Sequence, residues 1–258
     1  MNYIGIDIGS TYAKTVVLNE KKELILEFVQ PTGWSSVDTA EEIRQKLEFA
    51  GINLSNESSH CVATGYGRIS VPYADKTVTE ITCHALGAVH LFQHPDLTVI
   101  DIGGQDTKII QIEQGFVKDF IMNDKCAAGT GRFLEVMANT LSLRPNEMFD
   151  LARLGSDTTI SSMCTVFAES EVIGLIGKGE PKENIAYAVV NSTIRKVAAQ
   201  VSRMNGEMFT FCLTGGLCEC DYIREALSKE LGKDVFSCPD ARYAGAIGAA
   251  LSAMKVRR

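Results

Sequence analysis

Two short segments of the sequence join an acidic residue to a glycine turn in the same order. Ile6-Asp7-Ile8-Gly9-Ser10-Thr11-Tyr12-Ala13-Lys14 is matched by Ile100-Asp101-Ile102-Gly103-Gly104-Gln105-Asp106-Thr107-Lys108, at a constant offset (101 − 7 = 94 and 108 − 14 = 94). In each copy an apolar strand ends in Asp and turns through glycine into a second strand. Backbone N–H groups at Gly9, Ser10 and Thr11, and again at Gly103, Gly104 and Gln105, can converge on phosphate oxygens. The carboxylates of Asp7 and Asp101 stand at strand ends, where they can hold Mg²⁺ through water. Gln105, by its place in the second turn, is the candidate for orienting an attacking water. Lys14 and Lys108 leave two readings open: each reaches a phosphate as a point charge, or each lies on a solvated strand face. Two such turns, set on facing lobes, would grip a triphosphate from both sides and tie lobe closure to hydrolysis; the competing reading is that the glycines merely permit tight hairpins.

Sulfur is the second source of chemistry. Eight cysteines occur in the chain, and with no secretion signal at the start they are expected to stay reduced. Cys61, Cys83, Cys212 and Cys238 lie among apolar or small residues and read as buried thiols packing as small hydrophobes. Cys218 and Cys220 form a C-x-C at a helix start without a matching second pair, and packing is the simpler account. Cys126 and Cys164 differ. Cys126 lies in the polar, glycine-rich segment Asn123-Asp124-Lys125-Cys126-Ala127-Ala128-Gly129-Thr130-Gly131, ahead of a helix. Cys164 lies in Ser161-Ser162-Met163-Cys164-Thr165-Val166-Phe167-Ala168-Glu169, at another helix start. A helix N-terminus favours thiolate, the form that ligates iron. Two ligands cannot complete a four-cysteine cubane, whereas two chains about a two-fold axis supply four. Ordinary loop cysteines remain the competing reading of the spacing.

The elements that must carry these groups follow from periodicity. Residues 3–8, 14–18 and 23–29 read as strands, with Asn19-Glu20-Lys21-Lys22 as a hairpin turn. Residues 97–102, 107–113 and 116–121 repeat that meander, with Glu113-Gln114-Gly115 turning its second hairpin. Helical patterns cover about 37–50 and 80–93, then about 130–141, 145–154, 167–177 and 182–203. A last strand, 209–213, runs into Thr214-Gly215-Gly216. A helix over about 219–231 and a small-residue helix from Ala241 to Met254 close the chain.

Composition is that of a globular protein: 258 residues, 45% hydrophobic and 22% charged. The net charge of −7 and basic runs no longer than two (Lys21-Lys22, Arg257-Arg258) argue against nucleic acid or an acidic membrane as partner. No apolar stretch approaches a membrane span, and the expected location is cytoplasmic.

The turns resemble those of the ATPase superfamily of actin, sugar kinases and the large heat-shock chaperones. Asp7-Ile8-Gly9-Ser10-Thr11 resembles its first phosphate motif, Asp101-Ile102-Gly103-Gly104-Gln105 its second, and Thr214-Gly215-Gly216 its adenosine motif. Glu80-Ile81-Thr82-Cys83-His84-Ala85-Leu86-Gly87-Ala88 and Tyr243-Ala244-Gly245-Ala246-Ile247-Gly248-Ala249-Ala250 resemble its two connecting helices, whose small residues fit a close, hinge-like crossing. The resemblance gives Glu80 a part in ordering metal-bound water. The two cysteine segments, Asn123–Glu135 and Met163–Val172, closely resemble the activators of 2-hydroxyacyl-CoA dehydratases, a family that includes the ATP-hydrolysing subunits of benzoyl-CoA reductase.

That resemblance implies an α/β fold of two duplicated ribonuclease-H-like (actin-like ATPase) lobes with a nucleotide cleft between them. Residues 1–94 plus 240–258 form the first lobe and 95–239 the second. It implies a homodimer sharing one [4Fe–4S] cluster through Cys126 and Cys164 of each chain. ATP, hydrolysed to ADP, and Mg²⁺ would drive one-electron transfer from a ferredoxin or flavodoxin to a dehydratase or reductase partner. Asp7, Glu80, Asp101 and Gln105 are the expected catalytic set. Gly9, Ser10, Thr11, Lys14, Gly103, Gly104, Lys108, Thr214, Gly215 and Gly216 are the expected nucleotide contacts. Two rival functions share the fold: a small-molecule (sugar or carboxylate) kinase without iron, and a non-catalytic ATP-dependent scaffold.

Overall fold

The computed structural model describes residues 1–54, 58–162, 164–205 and 209–256, so Met163 of the second cysteine segment and Arg257-Arg258 lie outside the described residues. The chain divides into two compact units. One comprises Met1–Leu97, Ile112–Lys118 and Asp240–Arg258, and the other Thr98–Gln111 and Asp119–Pro239.

The first unit is built on a five-stranded sheet of β1 (Asn2–Ile8), β2 (Tyr12–Leu18), β3 (Leu24–Pro31), β4 (Ser59–Thr64) and β5 (Lys76–Thr77), in the order β3-β2-β1-β4-β5. β1 runs antiparallel to β2 and parallel to β4. Its central place explains the run Ile4 to Ile8, buried on both faces. Helix α1 (Ser36–Phe49) starts where the Ser35 hydroxyl accepts from the Asp38 amide, and it buries Ala40, Ile43 and Leu47. Helices α2 (Glu80–Phe92) and α8 (Ala244–Ala253) cross on the sheet. The crossing is backbone against backbone: a Cβ at Gly248 would stand 1.8 Å from the Cys83 carbonyl oxygen, and one at Gly87 1.9 Å from that of Ala244. This is the close approach expected of the two small-residue segments.

The second sheet takes β6 (Leu97–Ile102), β7 (Thr107–Glu113), β8 (Phe116–Asn123), β9 (Thr210–Gly215) and β10 (Val235–Phe236) in the order β10-β9-β6-β7-β8. Counted within each sheet, and with the second read from its β8 edge, both orders are third, second, first, fourth, fifth, so the sequence repeat is a repeat of topology. Helices α3 (Gly131–Thr140), α4 (Pro145–Ala152), α5 (Thr165–Gly177) and α6 (Lys182–Val201) lie between β8 and β9, and α7 (Asp221–Leu231) follows β9. β4, β5 and β10 have no counterpart in the sequence-based assignment. β4 is buried at all six positions and so shows no alternation, while β5 and β10 have two residues each.

Candidate functional site

The two glycine turns close with the same hydrogen bond. The Gly9 amide donates to the Tyr12 carbonyl at 3.2 Å, and the Gly103 amide to the Asp106 carbonyl at 2.9 Å. Carbonyls of both turns are bound by the scaffold. Gly9 accepts from the Thr32 hydroxyl and Thr11 from the Thr32 amide, while Gly103 and Gly104 accept from the amides of Gly131 and Arg132 at the start of α3. The N–H groups of Ser10, Thr11, Gly104 and Gln105 have no acceptor among the described residues, and Ser10, Thr11 and Gln105 are exposed. Fixed carbonyls and open amides are the arrangement that a backbone anion site requires.

Asp101 ends β6 at 2% exposure. It accepts from the Thr214 hydroxyl at 2.8 Å and pairs with the Lys108 ammonium at 3.2 Å, and that ammonium also lies 2.9 Å from Asp106. Lys108 is therefore not on a solvated strand face: at 1% exposure it is among the largest fully buried side chains. Gly215 has φ +85°, and a Cβ there would stand 2.8 Å from Asp101 Oδ1, so the Thr214-Gly215-Gly216 turn passes directly over this carboxylate. The second unit thus gathers Asp101, Lys108 and Thr214 around one buried charge.

Asp7 holds the equivalent place at the end of β1, also 2% exposed, but its surroundings differ. Its Oδ1 has no hydrogen-bond partner among the described residues. Bare glycine faces surround it, since a Cβ at Gly65 would stand 2.4 Å from Oδ1 and one at Gly245 2.6 Å from Oδ2 and 2.9 Å from His84 Cε1. A buried carboxylate oxygen left open in a glycine cradle fits a hydrated Mg²⁺. Lys14 is the register partner of Asp7, and its Nζ lies 3.9 Å from where a Gly9 Cβ would stand. Glu80 opens α2 and is half-buried, and the His84 ring nitrogen Nδ1 lies 3.1 Å from its carbonyl oxygen.

The cysteines separate by burial. Cys61, Cys83 and Cys212 are buried, and burial pushes the thiols of Cys83 and Cys212 up to about 12. Cys238 is half-buried in the connection after β10, which corrects the expectation of a core thiol: a chain turn at Pro239 leaves it beside solvent. Cys218 is buried, and Cys220 is the half-buried N-cap of α7. Cys126 and Cys164 are both exposed. Cys164 is the N-cap of α5, so its sulfur stands at the positive end of that helix. Cys126 sits on a loop tied to the second turn, because the Thr107 hydroxyl donates to the Gly129 carbonyl at 2.6 Å and Asn123 Nδ2 to the Cys126 carbonyl at 2.8 Å. Helix α5 is apolar on its outer side as well, with Val166 66% and Phe167 67% exposed and Ile173 and Ile176 beside solvent.

The model of the BadF/BadG/BcrA/BcrD ATPase family matches residues 4–253. The chain belongs to that family. It is 43% identical, over 98% of its own length and 96% of the relative's, to the (R)-2-hydroxyglutaryl-CoA dehydratase activating ATPase of Acidaminococcus fermentans. The crystal structure of component A of that dehydratase system superposes with TM-score 0.91 at 41% identity, covering 99% of this chain and 98% of the other. The activator of 2-hydroxyisocaproyl-CoA dehydratase from Clostridium difficile, solved with bound ADPNP, superposes with TM-score 0.88 at 33% identity, covering 100% and 99%. A glucokinase of the ROK family from Streptomyces griseus, at TM-score 0.63 and 17% identity, shows the fold alone.

Within this BadF/BadG/BcrA/BcrD-type ATPase, sequence reasoning passed over Gly65 and His84 around Asp7, and Asp106 beside Lys108. Gly65 follows β4, the strand that periodicity does not reveal. Asp106 stands where the first copy has Tyr12, so a search for shared residues skips it; an acidic residue inside a glycine turn was its available signal. No helix among the described residues is long and apolar enough to cross a membrane.

Proposed function

We propose that this chain is an ATP-driven activator that passes single electrons to a partner 2-hydroxyacyl-CoA dehydratase or a related reductase. The observation that carries the proposal is the joining of the second phosphate turn to the Cys126 loop. Gly103 and Gly104 hold the amides of Gly131 and Arg132, and Thr107 holds Gly129, so the backbone that meets phosphate also positions the segment carrying a thiol. A change in phosphate occupancy at Gly103-Gly104 then acts directly on the Cys126 loop.

Each residue has a part in this scheme. The open amides of the two turns bind phosphate oxygens, Lys14 and Lys108 add positive charge, and Thr214-Gly215-Gly216 runs along the base and ribose. Asp7, with its open oxygen, Asp101 and Glu80 are the carboxylates that would serve a hydrated Mg²⁺, which would supply positive charge to the phosphates. Gln105 orients the water that cleaves ATP to ADP and phosphate. Cys126 and Cys164 are exposed thiols that fit iron ligation, and Cys164 stands at the N-terminal end of α5. A four-cysteine site needs two chains, and the exposed apolar residues of α5 suit a homodimer. A [4Fe–4S] cluster held by Cys126 and Cys164 of two chains would supply a one-electron carrier between a ferredoxin or flavodoxin donor and the partner enzyme.

The test is anaerobic purification with iron analysis, visible absorption and light scattering. A brown dimer with about one [4Fe–4S] cluster per two chains is expected. Cys126→Ala should lose the iron and keep ATP binding, and Phe167→Asp should shift the protein toward monomer. A colourless, iron-free protein that still hydrolyses ATP would overturn the redox role.

A further inference from the structure

Helix α6 and the turn after it present Ser192, Arg195, Lys196, Ala199, Gln200 and Arg203 at successive steps of three and one, a single stripe on the helix. Together with flanks of both cysteine segments, at Ala128-Gly129 and Ile160–Ser162, this stripe encloses a cavity of about 320 Å³ within the second unit. Among the described residues that line it, three are cations and none is a carboxylate, in a chain with 32 acidic and 25 basic residues. None of the three cations pairs with a carboxylate among the described residues. Gln200 is 3% exposed, and neither its Oε1 nor its Nε2 has a hydrogen-bond partner among the described residues. A buried carboxamide with both ends open calls for an occupant. Gly129, at φ +87°, lets the Lys196 stem lie against bare backbone, since a Cβ there would stand 2.8 Å from the lysine Cγ. Glu171 of α5 accepts from the amides of Ser161 and Ser162 and is not among the lining residues.

We propose that this cavity binds a small polyanion carrying phosphoryl or carboxylate groups. The cations balance its charge, and the Gln200 carboxamide meets one of its polar atoms. At about 30 Å³ per water, the volume equals about ten waters, which suits a three- or four-carbon phosphate ester or dicarboxylate better than a bare ion. None of the lining residues belongs to the phosphate turns or to Thr214–Gly216, so the site stands independently of the nucleotide assignment. Because its walls include both cysteine segments, an occupant would stiffen the backbone that follows Cys126 and the backbone that precedes Cys164.

Isothermal titration of the full chain, saturated with ADPNP and Mg²⁺, tests this with two probes, glycerol 3-phosphate and succinate. One-to-one binding of at least one probe is expected, and the stronger binder identifies phosphoryl or carboxylate as the preferred group. Lys196→Met and Gln200→Leu should each weaken it about tenfold, equivalent to about 1.4 kcal/mol. Gln200→Leu removes an orphaned polar group and should melt no lower than the parent, which separates lost binding from lost folding. Three results overturn the site: no binding of either probe in the millimolar range, binding indifferent to both substitutions, or binding seen only without ADPNP, which would make the cavity part of the nucleotide site.

Discussion

Replacing Lys108 with Met retains length and apolar stem and removes a buried charge that pairs with Asp101 and Asp106. At 3.2 Å and an effective dielectric of about 20, the Lys108–Asp101 attraction is about 5 kcal/mol. Much of that offsets the cost of taking both groups out of water, so the pair itself adds little net stability. Breaking it from one side is different, because Asp101 keeps its burial and loses its counter-charge, at a cost of about 3–5 kcal/mol. For a unit of this size that lowers the melting temperature by roughly 10 °C. The double variant Lys108→Met/Asp101→Asn removes both charges and should recover a large part of the loss, because the Thr214 hydroxyl can still donate to the amide oxygen. Thermal unfolding of the parent, both single variants and the double gives the cycle. A loss below about 1 kcal/mol in Lys108→Met, or a double variant no better than the sum of its singles, would refute the account of a buried pair held by mutual compensation.

Other consequences can be checked separately. Brief alkylation of the iron-free protein near pH 8, read by mass spectrometry, should label Cys126 and Cys164 well before Cys61, Cys83 and Cys212, which are buried, the last two with thiols pushed up to about 12. Gly248→Ala should destabilise by about 1–3 kcal/mol or more, because the new methyl meets the Cys83 carbonyl and two helices must move apart; an unchanged melting curve would contradict the close crossing. Burial works against ionisation of Glu171, but bonds from Ser161 and Ser162 outweigh it and hold the carboxyl below its usual 4.5. Its folded value is depressed, so its contribution is present above about pH 4.5 and is lost as the pH falls through the folded value. Amide exchange protection at Ser161 and Ser162 should fall in Glu171→Gln at pH 7, and the difference between parent and variant should shrink as the pH is lowered through the folded value.

The order of residues along the chain was enough to find the duplicated Asp–Gly turns, the two meanders, the small-residue helices and the two atypical cysteines. Each of these is local: a turn needs its glycine, a strand its alternation or apolar run, and a helix its period. β4 escaped because a strand buried on both faces shows no period, and Gly65 escaped with it. Three-dimensional packing alone decided the fate of Lys108, since alternation fixes which face of β7 it occupies but not whether a carboxylate waits there. Likewise, only packing separated Asp7, whose oxygen is open in a glycine cradle, from Asp101, whose oxygens are taken by Lys108 and Thr214, although the two lie in nearly the same words of sequence. The same holds for the basic cavity along α6, whose stripe looks like an ordinary helix face until the cysteine segments close over it. Charge and hydrogen-bond compensation are settled by neighbours far away in the chain, and a linear string does not list those neighbours.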